Sequence, residues 1–346
     1  MVEQNPDAFL DVCYLQAGDG SEPQFYAVPV ISQALVLYYN KAVFTGKEDK
    51  LASWEGILEV ARENNALATS YSGTDGYNYS HFLLAQPFND QAKDVFGASG
   101  SLEIYKNALQ KNCYAYGDDQ VAFNKYAQRF TVDPNGRNGT LTSTDGFAVE
   151  LSTGKAITFV GGAWHLGAVT ASLGEDNVGI VELPTFTLTE ADAYGTATAG
   201  MTFHSGSFAD CKCFVKKKGS AFAAYLDDIL LFLSSDEVQK ESFEECDNLP
   251  ASQNVDLGDD ALAKAQVAQS AYGIAQPFGF KAKYNTYYYS SGAPDMYVAL
   301  HQNTGSAYST DAEIIKTLQT ITHVWAKGKL PADDAALAEF VAGQGK

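Results

Sequence analysis

The sequence predicts an α/β protein, and three observations carry that reading. Short apolar, β-prone runs alternate along the whole chain with helical segments, several of them opened by Ser or Thr capping residues. One such run, residues 156–160, leads straight into Gly161-Gly162 and then into a helical stretch over 163–173. At 346 residues, with 46% hydrophobic and 19% charged residues, the chain is long and apolar enough to bury two cores.

The strand–glycine–helix unit organises the rest. A strand that feeds a tight glycine turn and a helix puts the turn at the carboxyl edge of a sheet, where open α/β domains take their ligands. Glycine conformational freedom at 161–162 is expected to make the turn. Trp164 then falls on the first turn of the helix, with a flat apolar face towards the crevice, beside N–H groups that can donate to ligand oxygens. An indole beside donors suits a molecule with apolar faces and hydroxyl edges, such as a sugar ring. A core tryptophan closing the turn is the alternative, and these residues alone leave both open.

From the amino terminus, residues 1–25 are polar and turn-rich. Residues 26–39 read as two strands meeting at a polar bend, Ser32-Gln33. Ser53-Trp54-Glu55 opens an amphipathic helix to about Asn65, with Ser53 as N-cap, and 66–71 reads as the next strand. A loop rich in hydroxyls and aromatics follows, Ser72-Gly73-Thr74-Asp75-Gly76-Tyr77-Asn78-Tyr79, with helices expected near 79–86, 102–112 and 118–129. The polar loop 133–140 lacks the carboxylates of an EF-hand and reads as a solvated turn. Beyond the central unit, 178–183 is a strand ended by Pro184, and 185–206 is expected to be irregular. Residues 210–216 form a strand and 220–233 an amphipathic helix. Ser234-x-x-Glu237 is a capping box for the helix to Cys246, and Leu249-Pro250-Ala251-Ser252 is an extended crossover. Helices follow near 259–271, 294–302, from Thr310-x-x-Glu313 to about Lys327, and over 332–342. Residues 284–292 are the most aromatic segment.

A net charge of −19 with no basic stripe argues against a nucleic-acid partner. The five cysteines are scattered without a C-x-x-C pair, and the five histidines lack metal-ligand spacing, so neither a metal nor a cofactor is expected. Cys211 and Cys213 read as small core residues on one side of a strand. No nucleophile elbow, phosphate loop or dinucleotide fingerprint occurs. A pair of carboxylates working as in glycosidases stays open, though no pair stands out. The balance favours binding over catalysis.

Several segments, in order, resemble the bacterial extracellular solute-binding proteins of the maltose/oligosaccharide ABC-transporter family. They are Tyr26-Ala27-Val28-Pro29 with 33–41, Ser53-Trp54-Glu55, Ser152-Thr153-Gly154-Lys155-Ala156 with Gly161-Gly162-Ala163-Trp164, and Leu249-Pro250-Ala251. The resemblance implies a two-lobed periplasmic-binding-protein-like fold of type II, with a sugar or oligosaccharide held between lobes joined by crossing segments. It implies no enzymatic activity, an ABC transporter permease as partner, and an extracellular or periplasmic location on a lipid anchor. Trp164 falls on the family's sugar-stacking aromatic, and Gln33 where a polar residue contacts ligand. Asp75, Tyr77 and Tyr79 fall in a loop that supplies contacts, and Tyr288 is the candidate from the aromatic segment. For Gln33 and Asp75 ordinary crossover and turn polarity is the other reading.

Only 25 residues precede the crossover strand, and none of them forms a signal peptide. The expectation is therefore an incomplete first lobe (1–33 and 201–249) beside a second lobe (34–200 and 250–346), as a fragment of a longer precursor carrying the lipid anchor. Such a chain would bind sugar weakly or not at all and be prone to aggregate through the uncovered first-lobe sheet. Rival expectations are a secreted glycoside hydrolase-like enzyme and a degenerate lobe without ligand.

Overall fold

Residues 27–40 are extended almost throughout, yet they serve two different sheets. The computed structural model describes residues 14–15, 24–25, 27–72, 81, 118–127, 130, 141–142, 146–215, 219, 222–275, 310–327 and 330–344. In chain order the named elements are β1 (Tyr14–Leu15), β2 (Gln24–Phe25), β3 (Ala27–Gln33), β4 (Val36–Asn40), α1 (Lys41–Phe44), α2 (Trp54–Glu63) and β5 (Tyr71–Ser72). Next come α3 (Asp118–Ala127), β6 (Leu141–Thr142), α4 (Gly146–Ser152), β7 (Thr158–Gly161), α5 (Leu166–Leu173), β8 (Val178–Val181), β9 (Thr185–Thr187) and β10 (Thr202–His204). Then follow β11 (Ser207–Val215), α6 (Ala223–Leu233), α7 (Asp236–Cys246), α8 (Ala261–Ser270), β12 (Gly273–Ala275), α9 (Asp311–Lys327) and α10 (Asp334–Gln344).

β4 is the centre of the first sheet, antiparallel to β7 on one side and to β8 on the other. On the far side of β7, the segment leading into β5 runs parallel to it. The Leu67 N–H donates to the Lys155 carbonyl (2.7 Å) and the Ser70 N–H to that of Thr158 (2.9 Å), and β5 then pairs in parallel with β6. Side chains alternate across a strand, and here both faces are buried. Val36, Tyr38 and Phe159 pack with Phe147 and Leu151 of α4, Val169 of α5 and Leu262 of α8. Leu37 and Val160, pointing the other way, are equally inaccessible. The sheet is thus buried on both faces, with α4, α5 and α8 covering the Tyr38 face, which accords with the α/β prediction.

The second sheet has β11 in the middle, parallel to β12 and antiparallel to β3. Pro29 can donate no ladder hydrogen bond, and the register slips between Lys212 and Cys213 where Cys213 meets Pro29. From this sheet the chain crosses to the first one through Ala34-Leu35. Both residues are buried and apolar, so the crossing is not the polar bend expected at Ser32-Gln33; those two residues belong to β3 itself. A second crossing segment lies alongside: the Ser32 N–H donates to the Leu249 carbonyl (2.9 Å), and Ile31 bridges Pro250.

Other expectations need correction. Residues 185–206 are not irregular throughout: β9 and β10 pair antiparallel, with Phe186 and Phe203 turned inward onto Phe123 and the hydroxyls of Thr187 and Thr202 bonded at 2.8 Å outside. The cap of α7 is Ser235, whose hydroxyl accepts the Val238 N–H (3.4 Å), while Ser234 closes α6. By contrast Ser53 caps α2 as expected, and Thr310 and Glu313 form a reciprocal capping box. Phe222, Tyr225, Leu231 and Phe232 around α6 are more than half exposed, so that helix spends little of its apolar surface on a core among the described residues. The helices expected near 79–86 (apart from His81), 102–112 and 294–302, and the loop 133–140, lie outside the described residues.

Candidate ligand-binding site

The turn after β7 is built differently from the expectation. Neither Gly161 nor Gly162 has a positive φ; Gly162 sits at φ −97°. Their value is close approach. A Cβ on Gly162 would lie 2.2 Å from Cζ3 and Cη2 of Trp164, and one on Gly161 would lie 2.4 Å from Phe159 Cε1 and 2.7 Å from His165 Nδ1. The indole therefore rests on bare backbone. The Tyr38 hydroxyl donates to the Gly162 carbonyl at 2.9 Å and pins the turn to β4. Burial first, and the Asp260 carboxylate second, push the Tyr38 phenol well above its usual range, so it stays a donor at any working pH. After the glycines comes one 3₁₀ turn, Ala163–His165, before α5. That turn consumes donors expected to face a ligand: the His165 N–H goes to the Gly162 carbonyl (3.0 Å) and the Leu166 N–H to that of Ala163. Trp164 itself is 47% exposed, which excludes the fully buried core tryptophan.

His165, next to it, faces inward, edge-on to Phe159 (5.0 Å between centroids) and Phe147 (5.4 Å). Burial lowers its pKa from 6.5 to about 4, and Nδ1 has no hydrogen-bond partner among the described residues. In the unfolded chain the imidazole takes up its proton near pH 6.5, so below that value the unfolded state binds more protons and stability falls until pH reaches about 4. By pH 4.5 the loss from this residue is about 2–3 kcal/mol. Urea unfolding at pH 7 and 4.5 should show a drop larger by that amount in the wild type than in His165→Phe; equal drops would contradict the assignment.

Gln33 lies elsewhere. It lines a cavity of about 400 Å³ formed by both crossing segments (32–34 and 249–253) and by Gln266, Val267 and Ser270 of α8. Trp164 is not part of that lining. Asp75, Tyr77, Tyr79 and Tyr288 lie outside the described residues. Residues that sequence reasoning missed are Tyr38, which holds the glycine turn, and Gln266, whose side-chain N–H donates to the Ala34 carbonyl (3.2 Å) at the crossing. His204 stacks on Tyr272 at 4.0 Å. Among the described residues no group of three or more His, Cys, Asp or Glu could hold a metal ion.

Residues 4–269 match the family described as bacterial extracellular solute-binding protein. The chain belongs to this family. As a solute-binding protein it also shares its fold with solved structures of low identity. One is a maltodextrin-binding protein from L. casei BL23 without ligand: TM-score 0.62, 15% identity, covering 94% of this chain and 76% of that one. Another is an extracellular solute-binding protein from Staphylococcus aureus in complex with maltose: TM-score 0.63, 14% identity, 94% and 74% covered. A third is a maltose-binding periplasmic protein from Listeria monocytogenes in complex with maltose: TM-score 0.60, 16% identity, 94% and 78% covered. A comparison with curated proteins finds no match. Among the described residues of this solute-binding protein, no helix is long and apolar enough to cross a membrane.

Proposed function

We propose that this solute-binding protein takes up a sugar or oligosaccharide in a cleft between two lobes and hands it to the permease of an ABC importer. The observation that carries the reading is the half-exposed indole of Trp164, seated on Gly162 at the carboxyl end of β7. A sugar's apolar face stacks on such a ring, and hydroxyl-edge hydrogen bonds fix its orientation. Three of the residues proposed as further contacts, Asp75, Tyr77 and Tyr79, follow β5, whose lead-in runs parallel to β7; Gln33 and Tyr288 complete the set. The lobes divide at the two crossing segments, residues 1–33 with 201–249 against 34–200 with 250–346, and closing one on the other buries the ligand. Support for the sugar comes from the maltose held by two of the structures that share the fold. The protein works outside the cell membrane, held there by a lipid anchor on its precursor, and performs no chemistry on its ligand.

Calorimetry with maltose, maltotriose and maltotetraose tests this, with chromatography of each sugar after overnight incubation. Saturable binding of at least one sugar, returned unchanged, is expected. Silence with all three would remove the maltooligosaccharide reading, and shortened products would replace the receptor by an enzyme.

A further inference from the structure

Apart from Asp227 and Asp228, every residue of α6 is apolar, a composition that belongs to a helix covered on most sides. Its outward residues recur at a strict spacing. Phe222 at the N-cap, Tyr225, Ile229 and Phe232 stand three, four and three positions apart, the a–d–a–d pattern by which one helix packs on another. At 3.6 residues per turn they share an arc of about 80°. All four are exposed, by 67, 65, 45 and 63% in that order, while Leu226, Leu230 and Leu233, on the next arc, are half-buried. No charged residue falls within the seam: Asp227 is on the opposite side of the helix and Asp228 at the border. With aromatic side chains of 150–250 Å² each, the seam exposes roughly 500 Å² of apolar surface, near the upper limit for the largest patch on a monomer. Two such seams packed together bury about 1,000 Å² before any flanking polar atom is counted, which reaches the size of a specific interface.

We propose that α6 is a self-association face, on which a second copy of this chain lays the same seam antiparallel about a two-fold axis. A two-fold contact requires a patch that matches itself, and this one does. Antiparallel packing sets Phe222 against Phe232 of the partner subunit and Tyr225 against Ile229 of the partner subunit, with no charge to bury at any of the four positions. An isolated helix of this length would not hold its shape in water, but α6 is already formed on the protein, so pairing costs no helix nucleation. What opposes the pairing is the charge of −19 on each copy, a long-range repulsion that salt screens. Association therefore tightens as salt is added, the reverse of what a charge-matched partner would show.

Sedimentation velocity on the full chain, over a wide range of concentration and at low and high salt, tests this. A monomer–dimer equilibrium that stops at the dimer and shifts towards it with salt is expected. Ile229→Glu, at an exposed seam position, should weaken the dimer at least about thirtyfold by putting a charge at its centre, with a thermal midpoint for the monomer close to that of the wild type. Leu231→Glu adds the same charge to the same helix at a residue 56% exposed but well away from the seam, and should leave the dimer unchanged. A monomer at every concentration would overturn the proposal, whether the seam stays bare or another stretch of this chain lies over it. Growth beyond the dimer, or equal losses in the two variants, would replace a specific interface by general stickiness and overturn it as well.

Discussion

Trp164→Ala is expected to weaken maltooligosaccharide binding by at least about thirtyfold, which corresponds to about 2 kcal/mol, with a thermal midpoint close to that of the wild type. The two halves of that expectation have one cause. At 47% exposure the indole already spends much of its surface in water, so truncation opens no closed cavity and removes little packing. What it removes is the flat face on which a sugar ring would lie. Gly162→Ala probes the same geometry without deleting the ring. Its new Cβ would stand 2.2 Å from two carbons of the indole, so the ring must swing off the turn, while the fold stays, because φ −97° suits alanine. Binding by this variant should fall about tenfold or more, with a smaller loss than for Trp164→Ala. Calorimetry and melting curves on both decide the matter. Full affinity in both variants would take Trp164 out of the site, and a large fall in the midpoint of Trp164→Ala would make it a packing residue after all.

Much of the fold could be read locally because its signals are local. The apolar run before Gly161 is β7, and Val178–Val181 is β8; Ser53 and Thr310 cap their helices because each presents an oxygen to an N–H a few residues on. Where the reading slipped, the signal was ambiguous between neighbours, too short, or far off in sequence. Ser234 and Ser235 are both plausible caps, and the choice falls to Ser235 while the Ser234 carbonyl accepts the Gln239 side chain (3.0 Å). The hairpin of β9 and β10 hides in a Thr/Gly-rich stretch because each strand has only three residues. That β3 and β4 leave for different sheets depends on β11 and β7, more than a hundred residues away.

The site divides in the same way. The strand–glycine–tryptophan order exposed Trp164 to a sequence reading, but not the reason for its glycines, which is an indole lying on backbone rather than a left-handed turn. Gln33 was visible as a polar residue in an apolar run, and it lines a cavity. Gln266 was not visible. It sits in an alanine-rich helix that carries two Gln, and nothing local distinguishes it from Gln269, whose amide is satisfied on both sides by Leu183 and Ser205. Which glutamine is left with an unpaired oxygen depends on where the crossing segment passes.

Trp54→Ala is expected to destabilise the protein by about 3–5 kcal/mol, in contrast to Trp164→Ala. Trp54 is inaccessible to solvent at the first turn of α2, stacked on His81 (5.2 Å) and edge-on to Phe130 (4.9 Å). Its indole N–H donates to the Ser205 hydroxyl (2.9 Å), which in turn donates to the Pro184 carbonyl (2.6 Å). The ring thus joins α2 to the segment between β8 and β11, and Glu55 beside it accepts from both the Tyr126 hydroxyl (2.6 Å) and the Thr187 N–H (2.9 Å). Truncation at Trp54 opens a cavity under all of these contacts. Trp54→Phe keeps most of the packing and loses one hydrogen bond, while the Ser205 hydroxyl keeps its acceptor; a cost of about 1–2 kcal/mol follows. Urea unfolding with an unchanged m-value reads these differences directly. The order Trp164→Ala, Trp54→Phe, Trp54→Ala, from least to most destabilised, is the expected result. A Trp54→Ala protein as stable as the wild type would mean that this aromatic cluster is not the core of its layer.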